Sequence, residues 1–156
     1  MGPYEELRVE NLMTRDPEAC FPMETCADAG RIMRRRNCGF VPIIDNPHDR
    51  RVIGVVTDRD IALGLVEQDG LPSQVLLEMC MSSWPRTISP EATLQEAARL
   101  MESAAVHRLP VVKEGRLVGV LSLKDIAAFA SQAGGLLKPN VAEEEVAEIV
   151  EAISVA

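Results

Sequence analysis

Aromatic residues are nearly absent from this 156-residue chain, where they make up 3% of the sequence and include a single tryptophan. The hydrophobic core must therefore be aliphatic, and the 47% of apolar residues is enough to form one. No uninterrupted apolar stretch approaches the ~20 residues that span a bilayer. The N-terminal residues are acidic and lack the apolar segment of a secretory signal. These absences predict a cytoplasmic protein with no membrane association.

An excess of basic residues is also missing, since 16 Lys and Arg stand against 24 Asp and Glu for a net charge of −8. Binding along a phosphate backbone requires a basic face, so we expect no nucleic acid partner. The run from Arg34 to Arg36 is the one basic cluster. We interpret it as a solvated helix end, with dimer-bridging ion pairs or a phosphate contact as secondary roles.

Metal-binding and catalytic motifs are lacking as well. None of the cysteines forms a Cys-x-x-Cys pair, and neither histidine, His48 or His107, has metal-ligand spacing. We predict that the cysteines are small core or near-core groups, with a zinc or thiol sensor as the alternative; they are Cys20, Cys26, Cys38 and Cys80. No nucleophile with a base, paired carboxylate site or Walker loop is present, so we do not expect an enzyme.

An internal repeat is the most informative feature that is present. A shift of 68 positions aligns Met13 with Met81 and Pro42 with Pro110 without a gap. The first copy then has three extra residues around Asn46, and with a shift of 65 the segment 54–62 aligns with 119–127. Two similar units therefore follow one another along the chain.

The sequence of each copy predicts the same secondary structure elements, in the order strand, helix, strand, strand, helix. A helix opens at Thr25 or Thr93, each followed three residues later by an acid, as in a capping box. A short Pro-led β-branched strand and a second strand form a hairpin. The second helix starts near Asp60 or Asp125, and the Gly134–Gly135 pair ends the last one. The fold class is therefore α/β (α+β).

The repeat also predicts the organisation of the chain. We place repeat 1 at residues 7–67, a linker at 68–76 and repeat 2 at 77–133. Residues 140–156 predict an acidic amphipathic helix capped by Asn140, with five glutamates around an apolar stripe. This helix either docks on its own domain or binds a partner or a second copy.

At these residues the chain resembles a tandem pair of cystathionine-β-synthase (CBS) domains, a stand-alone Bateman module. The likeness rests on Gly-Val-Val-Thr-x-x-Asp at 54–60 and Gly-Val-Leu-Ser-x-x-Asp at 119–125, and on Leu-Met-Thr at 12–14 with its echo at 80–82. The resemblance implies two β-α-β-β-α repeats packed sheet to sheet with pseudo-twofold symmetry. It also implies adenosine-containing ligands in the clefts between the repeats, pairing of modules into a homodimer, and regulation of a partner.

The chemistry of two aspartates fits such a ligand. Asp60 and Asp125 lie at the first turn of a helix, whose positive end favours the ionised form, and a carboxylate can accept both hydroxyls of a ribose. Thr57 and Ser122, three residues earlier, supply hydroxyl groups. The alternative is that these four residues only cap helices and end strands.

The copies differ where phosphates are expected. His107 and Arg108 resemble a phosphate-contacting pair of adenylate-sensing relatives, and the planar arginine fork suits phosphate; a solvated surface pair is the alternative. Copy one has no basic residue at the corresponding positions, although Arg59 and its counterpart Lys124 could reach a phosphate. The group of Ser122, Asp125, His107 and Arg108 is thus the better nucleotide candidate.

The base of a nucleotide needs an apolar slot with main-chain donors and acceptors. The resemblance implies that each cleft draws on both copies. For the Asp125 site, it implies a wall of Cys20, Phe21, Cys38 and Gly39. For the Asp60 site, the wall residues are Thr87, Ile88 and Val106.

The family resemblance, with the chemistry of these residues, implies a regulatory sensor that binds AMP, ADP or ATP and signals by a change of packing or assembly, with no required cofactor. S-adenosylmethionine ranks behind these nucleotides. The alternative is a ligand-free scaffold that acts through a homodimer or a protein partner. A metal or thiol sensor ranks below both.

Overall fold

The structure is a computed structural model in which residues 7–136 are described, with side chains through Phe129. The predicted order of strands and helices is confirmed in both copies. The predicted helix at 140–156 lies outside the described residues. The elements are α1 (Val9–Leu12), β1 (Thr14–Arg15), α2 (Cys26–Arg36), β2 (Phe40–Ile44), β3 (Val52–Thr57), α3 (Asp58–Gln68), a 3-10 helix (Leu77–Met79), β4 (Ser82–Ser83), α4 (Leu94–Ala104), β5 (Arg108–Lys113), β6 (Arg116–Ser122) and α5 (Leu123–Leu136).

The chain forms two compact units, each with one three-stranded sheet. In the described residues, unit 1 comprises 7–15, 86–112 and 118–136, and unit 2 comprises 16–85 with 113–117. The sheet orders are β1-β6-β5 and β2-β3-β4. Strand β1 pairs antiparallel with β6, and β4 pairs antiparallel with β3. The short strand that opens each sequence repeat therefore completes the sheet formed by the hairpin of the other repeat.

The core of unit 1 is aliphatic, as the composition predicts. Helix α4 contributes one apolar face, including Ala97 and Met101, and β5 and β6 contribute Leu109 and Leu121; all four are 0% exposed. Residues three and four apart on a helix share a face, so the spacing in α4 places these groups together. The capping box of Thr93 and Glu96 begins the helix as predicted.

Unit 2 has its own core around β2, all five residues of which are buried. Ile43 and Val56 from the hairpin pack with Met33 of α2 and with Cys20 and Cys26. Val75, in the segment predicted as a linker, is 3% exposed and its carbonyl accepts from the Cys26 N–H at 2.9 Å. That segment is therefore anchored on the start of α2.

Two local predictions need correction. Helices α3 and α5 begin at Asp58 and Leu123, close to the predicted starts, and Asp60 and Asp125 lie in their first turns as predicted. Helix α5 continues through Gly134 and Gly135 to Leu136, so that glycine pair does not end it. Cys38 is exposed rather than a core group, because it follows the left-handed end of α2 at Asn37.

None of the helices in the described part of the chain has the length and apolar character needed to cross a membrane.

Candidate functional site

Two equivalent corners form where each hairpin runs into its following helix. The Asp125 corner, in unit 1, consists of His107, Arg108 and residues 122–125. The Asp60 corner, in unit 2, consists of Gly39, Phe40 and residues 57–60. In the Asp125 corner the Leu123 N–H donates to the His107 carbonyl at 2.8 Å, and in the Asp60 corner the Asp58 N–H donates to the Gly39 carbonyl at 3.1 Å. This hydrogen bond fixes the loop before the first strand of each hairpin beside the helix start.

Capping boxes hold the two aspartates of the corners. Asp125 Oδ2 accepts from the Ser122 N–H at 2.9 Å, while the Asp125 N–H donates to Ser122 Oγ at 3.0 Å. Asp60 Oδ2 and Thr57 make the same pair of bonds at 2.9 and 3.1 Å. Each cap satisfies two backbone groups that a helix start leaves without partners. These four residues therefore do cap helices, which is the alternative role that the sequence offered.

Capping uses only one oxygen of each carboxylate. Among the residues whose side chains are described (7–129), none donates a hydrogen bond to Asp60 Oδ1 or to Asp125 Oδ1. Both side chains are half-buried. An ionised oxygen held rigidly in this way can accept from a ligand hydroxyl with little further ordering, so capping and ligand binding are compatible.

The two corners differ in their charged residues. In the Asp125 corner, Arg108 is half-buried at the start of β5, and His107 and Lys124 are exposed. In the Asp60 corner the corresponding strand residue is Phe40, which is 8% exposed, and the basic residue is Arg59. The Leu123–His107 backbone bond therefore places His107 and Arg108 at the same end of unit 1 as Ser122 and Asp125, and their role as a nucleotide site stays a prediction.

Cys20 and Ile88, two of the proposed wall residues, form isolated parallel bridges to the first strand of each hairpin. The Cys20 N–H donates to the Pro42 carbonyl at 3.0 Å, and its carbonyl accepts from the Ile44 N–H at 2.9 Å. Ile88 makes the equivalent bonds with Pro110 and Val112. Both side chains belong to the cores, Cys20 at 0% and Ile88 at 8% exposure. Their contact with a ligand stays a prediction.

The remaining wall residues are more accessible. Phe21 and Val106 are half-buried, and Thr87 is exposed. Cys38 is exposed, and its Sγ donates to the Phe40 carbonyl at 3.5 Å. Cys20, Phe21, Cys38 and Gly39 lie in unit 2, whereas Asp125 lies in unit 1, and the second wall is divided from Asp60 in the same way. The combined walls stay predictions.

Asp58 is the residue that sequence reasoning passed over. It occupies the first position of α3, and its carboxylate lies over Gly39: a Cβ built on that glycine would be 2.7 Å from Asp58 Oδ2. The aligned repeat has Leu123 at this position and His107 at the glycine position. Comparison of the two repeats at these positions would have identified the difference.

The thiols are poor candidates for a second site. Burial raises the pKa of Cys20 to about 12. Burial and the neighbouring Cys26 thiol, 3.5 Å away, raise the pKa of Cys80 to about 12. No group of three or more His, Cys, Asp or Glu side chains with the geometry for a metal ion occurs in the part of the chain that is described.

Comparison with known families agrees with this architecture. The model of the CBS domain matches residues 9–67 and again 78–131. The chain therefore belongs to the CBS-domain family and contains two copies of the domain.

Curated relatives include a protein of nearly the same size and a much larger enzyme. The chain is 29% identical over 140 residues to the CBS domain-containing protein YhcV of Bacillus subtilis, which covers 88% of this chain and 97% of YhcV. It is 30% identical over 138 residues to inosine-5'-monophosphate dehydrogenase of Staphylococcus aureus, covering 88% of this chain but 26% of the dehydrogenase. The chain thus spans about a quarter of that enzyme.

Solved structures share the fold. A protein from Vibrio cholerae described as acetoin utilization protein AcuB is 28% identical with a TM-score of 0.74, over 86% of this chain and 100% of that one. CBSX2 in complex with AMP is 28% identical with a TM-score of 0.67, over 81% and 98%. Hypoxic Response Protein I with two coordinated zinc ions is 29% identical with a TM-score of 0.70, over 78% and 98%.

Proposed function

We propose that this protein is a regulatory module that binds an adenine nucleotide, with the Asp125 corner as its main ribose and phosphate contact. The observation that carries the proposal is the 2.8 Å bond from the Leu123 N–H to the His107 carbonyl, which holds His107 and Arg108 beside Ser122 and Asp125. A carboxylate that can accept from ribose hydroxyls and basic side chains that can bind a phosphate thus lie at the start of one helix. The complex of the related CBSX2 with AMP supports this ligand class.

Each residue of the Asp125 corner has a distinct role in this proposal. Asp125 Oδ1 accepts from a ribose hydroxyl, while Oδ2 continues to cap α5. The first turn of α5 favours an anion through the positive end of the helix dipole. Arg108 and Lys124 contact the phosphates, and Arg108 does so through two parallel N–H groups. AMP, ADP and ATP share these contacts, so the proposal names the class.

Regulation, rather than catalysis, is the proposed output. The similarity to the dehydrogenase covers 26% of that enzyme, so its activity is not carried over to this chain. We propose that ligand binding shifts the population of two packing states, which a homodimer or a protein partner detects. Such a shift requires only that the ligand binds one state more tightly than the other.

Calorimetry with AMP, ADP, ATP, S-adenosylmethionine and NADH tests the ligand class. Asp125→Ala should weaken AMP binding about tenfold or more, because a hydrogen bond to a charged group contributes about 1.5–3 kcal/mol. Asp125→Asn retains a cap acceptor and should weaken binding while preserving the fold. Absence of heat and of thermal stabilisation across the whole panel would refute the proposal.

Glu96→Ala is the matched control within the same unit. Glu96 Oε2 accepts from the Thr93 N–H at 2.8 Å, so it holds the corresponding position in the capping box of α4. Both substitutions remove the acid of a capping box, but only Asp125 belongs to the proposed site. Equal loss of AMP binding in the two variants would show that helix stability, and not ribose recognition, is being measured.

A second candidate function, a scaffold that acts through assembly, is favoured by exposed apolar side chains in unit 2. Leu63 and Val66 of α3 are 51% and 78% exposed, and Leu71 and Met79 are 61% and 49% exposed. Apolar groups that remain in contact with water are common at sites of association. Under this hypothesis, Val66→Lys changes the sedimentation profile, whereas nucleotides change neither assembly nor thermal stability.

Zinc remains the competing ligand, because Hypoxic Response Protein I carries two zinc ions at a similar level of identity. Among the described residues, no group of three or more His, Cys, Asp or Glu side chains could hold a metal ion, which favours the nucleotide. Metal analysis of the purified protein distinguishes the two: stoichiometric zinc would favour a metal sensor.

A further inference from the structure

Besides the change from Phe40 to Arg108, the two corners differ at two positions that a backbone hydrogen bond joins. The Asp60 corner has Gly39 and Asp58, whereas the Asp125 corner has His107 and Leu123 in the aligned places. The backbone bond that joins the two positions is the same in both corners, at 3.1 and 2.8 Å. Since this backbone bond is shared, the corners differ in the chemistry of these side chains and in the change from Phe40 to Arg108.

Asp58 is held in a defined orientation. A Cβ on Gly39 would lie 2.7 Å from Asp58 Oδ2 and 3.2 Å from Oδ1, so the carboxylate fills the space that a side chain at position 39 would need. Asp58 Oδ1 also accepts from the Arg59 N–H at 2.9 Å. Asp58 is exposed, and these contacts place its negative charge at the surface over Gly39, next to Thr57 and Asp60 in the chain.

Together with the change from Phe40 to Arg108, the exchange gives the two corners opposite charge balances. The Asp60 corner has two carboxylates, Asp58 and Asp60, against the single base Arg59. The Asp125 corner has one carboxylate against two bases, Arg108 and Lys124, together with His107. A phosphate monoester carries about −1.5 to −2 charges at pH 7, so the first corner repels it and the second attracts it.

We propose that Asp58 makes the Asp60 corner selective for an adenosine ligand without an anionic phosphate, whereas the Asp125 corner takes the phosphorylated ligand. This inference rests on the proposed function and extends it to the ligand class of the first repeat. The ribose contacts, Asp60 Oδ1 and the Thr57 hydroxyl, are the same in kind as those of Asp125 and Ser122. Discrimination therefore acts at the ligand's 5' substituent.

Nuclear magnetic resonance titration measures the two corners separately in the intact chain. Amide signals of residues 57–60 report the Asp60 corner, and those of 122–125 report the Asp125 corner. Adenosine and AMP are the probes. We expect residues 57–60 to respond to adenosine at lower concentration than to AMP, and residues 122–125 to show the opposite order.

Asp58→Asn is the discriminating variant, because it removes the charge while an amide oxygen can still accept from the Arg59 N–H. It should raise the affinity of residues 57–60 for AMP about fivefold and leave their response to adenosine unchanged, with the gain decreasing at high salt. The titration of residues 122–125 should not change. Leu123→Asp with His107→Gly makes the reverse exchange and should weaken AMP binding at the Asp125 corner.

The outcomes separate this inference from the proposed function. Two results would overturn the inference and leave the proposed function standing. One is a response of residues 122–125 with none at 57–60, and the other is a preference for AMP at 57–60 in the wild type. An unchanged AMP affinity in Asp58→Asn would also overturn it. Silence of both corners toward both probes would refute the proposed function and this inference together.

Discussion

Gly119 of β6 lies directly against Met13, so that a Cβ on the glycine would be 2.6 Å from Met13 Sδ and 2.9 Å from the Thr14 carbonyl oxygen. The equivalent contact in unit 2 joins Gly54 to Met81 at 3.0 Å. Each pair joins the glycine of one sequence repeat to the methionine of the other. The glycine of the repeated motif is thus needed for strand packing.

Substitution of these glycines should destabilise the protein. Gly119→Ala should lower the free energy of unfolding by about 1–3 kcal/mol, because the added methyl group overpacks a site bounded by backbone. Gly54→Ala should cost less, since its nearest contacts are 3.0 Å away. Urea denaturation checks both. Gly30→Ala, in α2 with no atom within 4 Å of its Cβ position, is the control and should stabilise by about 0.5–1 kcal/mol.

Thiol reactivity should be confined to Cys38 in the native protein. Cys38 is exposed, Cys20 and Cys26 are buried, and burial raises the pKa of Cys80 to about 12. Since the thiolate is the reactive form, a colorimetric thiol reagent at neutral pH should give a single fast equivalent. Cys38→Ser should abolish it. Rapid reaction of two or more thiols in the folded wild type would contradict this burial pattern.

Glu18 should contribute to stability above the acid range. Hydrogen bonds from Arg35 at 2.5 Å and Arg36 at 2.6 Å hold the pKa of its carboxyl below the usual value. A lowered pKa in the folded state adds stability above the unfolded pKa of about 4.3, and this contribution is lost as the pH falls through the folded value. Glu18→Gln should therefore be less stable than wild type at pH 7.

Urea denaturation at a series of pH values checks the Glu18 prediction. The difference between wild type and Glu18→Gln should shrink from pH 5 downward and also at high salt, because both side chains of each ion pair are partly exposed. A difference that stays constant with pH would show that the variant acts through packing.

The fluorescence of Trp84, the single tryptophan, should show that its side chain is in contact with solvent in the folded state. Its side chain is 91% exposed, and its φ of +55° places it in a left-handed turn before Pro85. Its emission should be close to that of the urea-denatured chain and strongly quenched by acrylamide. A blue-shifted, protected emission in the native protein would instead mean that a second copy or a partner covers this residue.

The local structure was largely predictable because its signals are short-range. The capping boxes at Thr25 and Thr93 and the hairpin strands lie where the sequence places them. Helices α3 and α5 begin near Asp60 and Asp125 as predicted, and these aspartates lie three residues after the capping residues Thr57 and Ser122. Gly134 and Gly135 were predicted to end α5, yet the helix continues, which shows that glycine permits but does not impose termination.

The candidate site was predictable only in part. The motif at residues 119–125 predicts Ser122 and Asp125 as site residues, and the family resemblance predicts His107 beside them. The role of Asp58 could not be predicted from the sequence. Its carboxylate contacts Gly39, which is 19 positions earlier, and this contact requires the backbone hydrogen bond between the two residues. Sequence periodicity carries no information on such a contact.

The sequence by itself determined the duplication, the order of strands and helices, the capping of the helices and the aliphatic character of the cores. These properties depend on residues close together in the chain or on average composition. Tertiary structure alone decided that β1 completes the sheet of the second hairpin and β4 that of the first. The physical reason is that backbone pairing between distant strands is set by packing, such as Met13 on Gly119, and two repeats of similar sequence do not specify which hairpin each short strand will join.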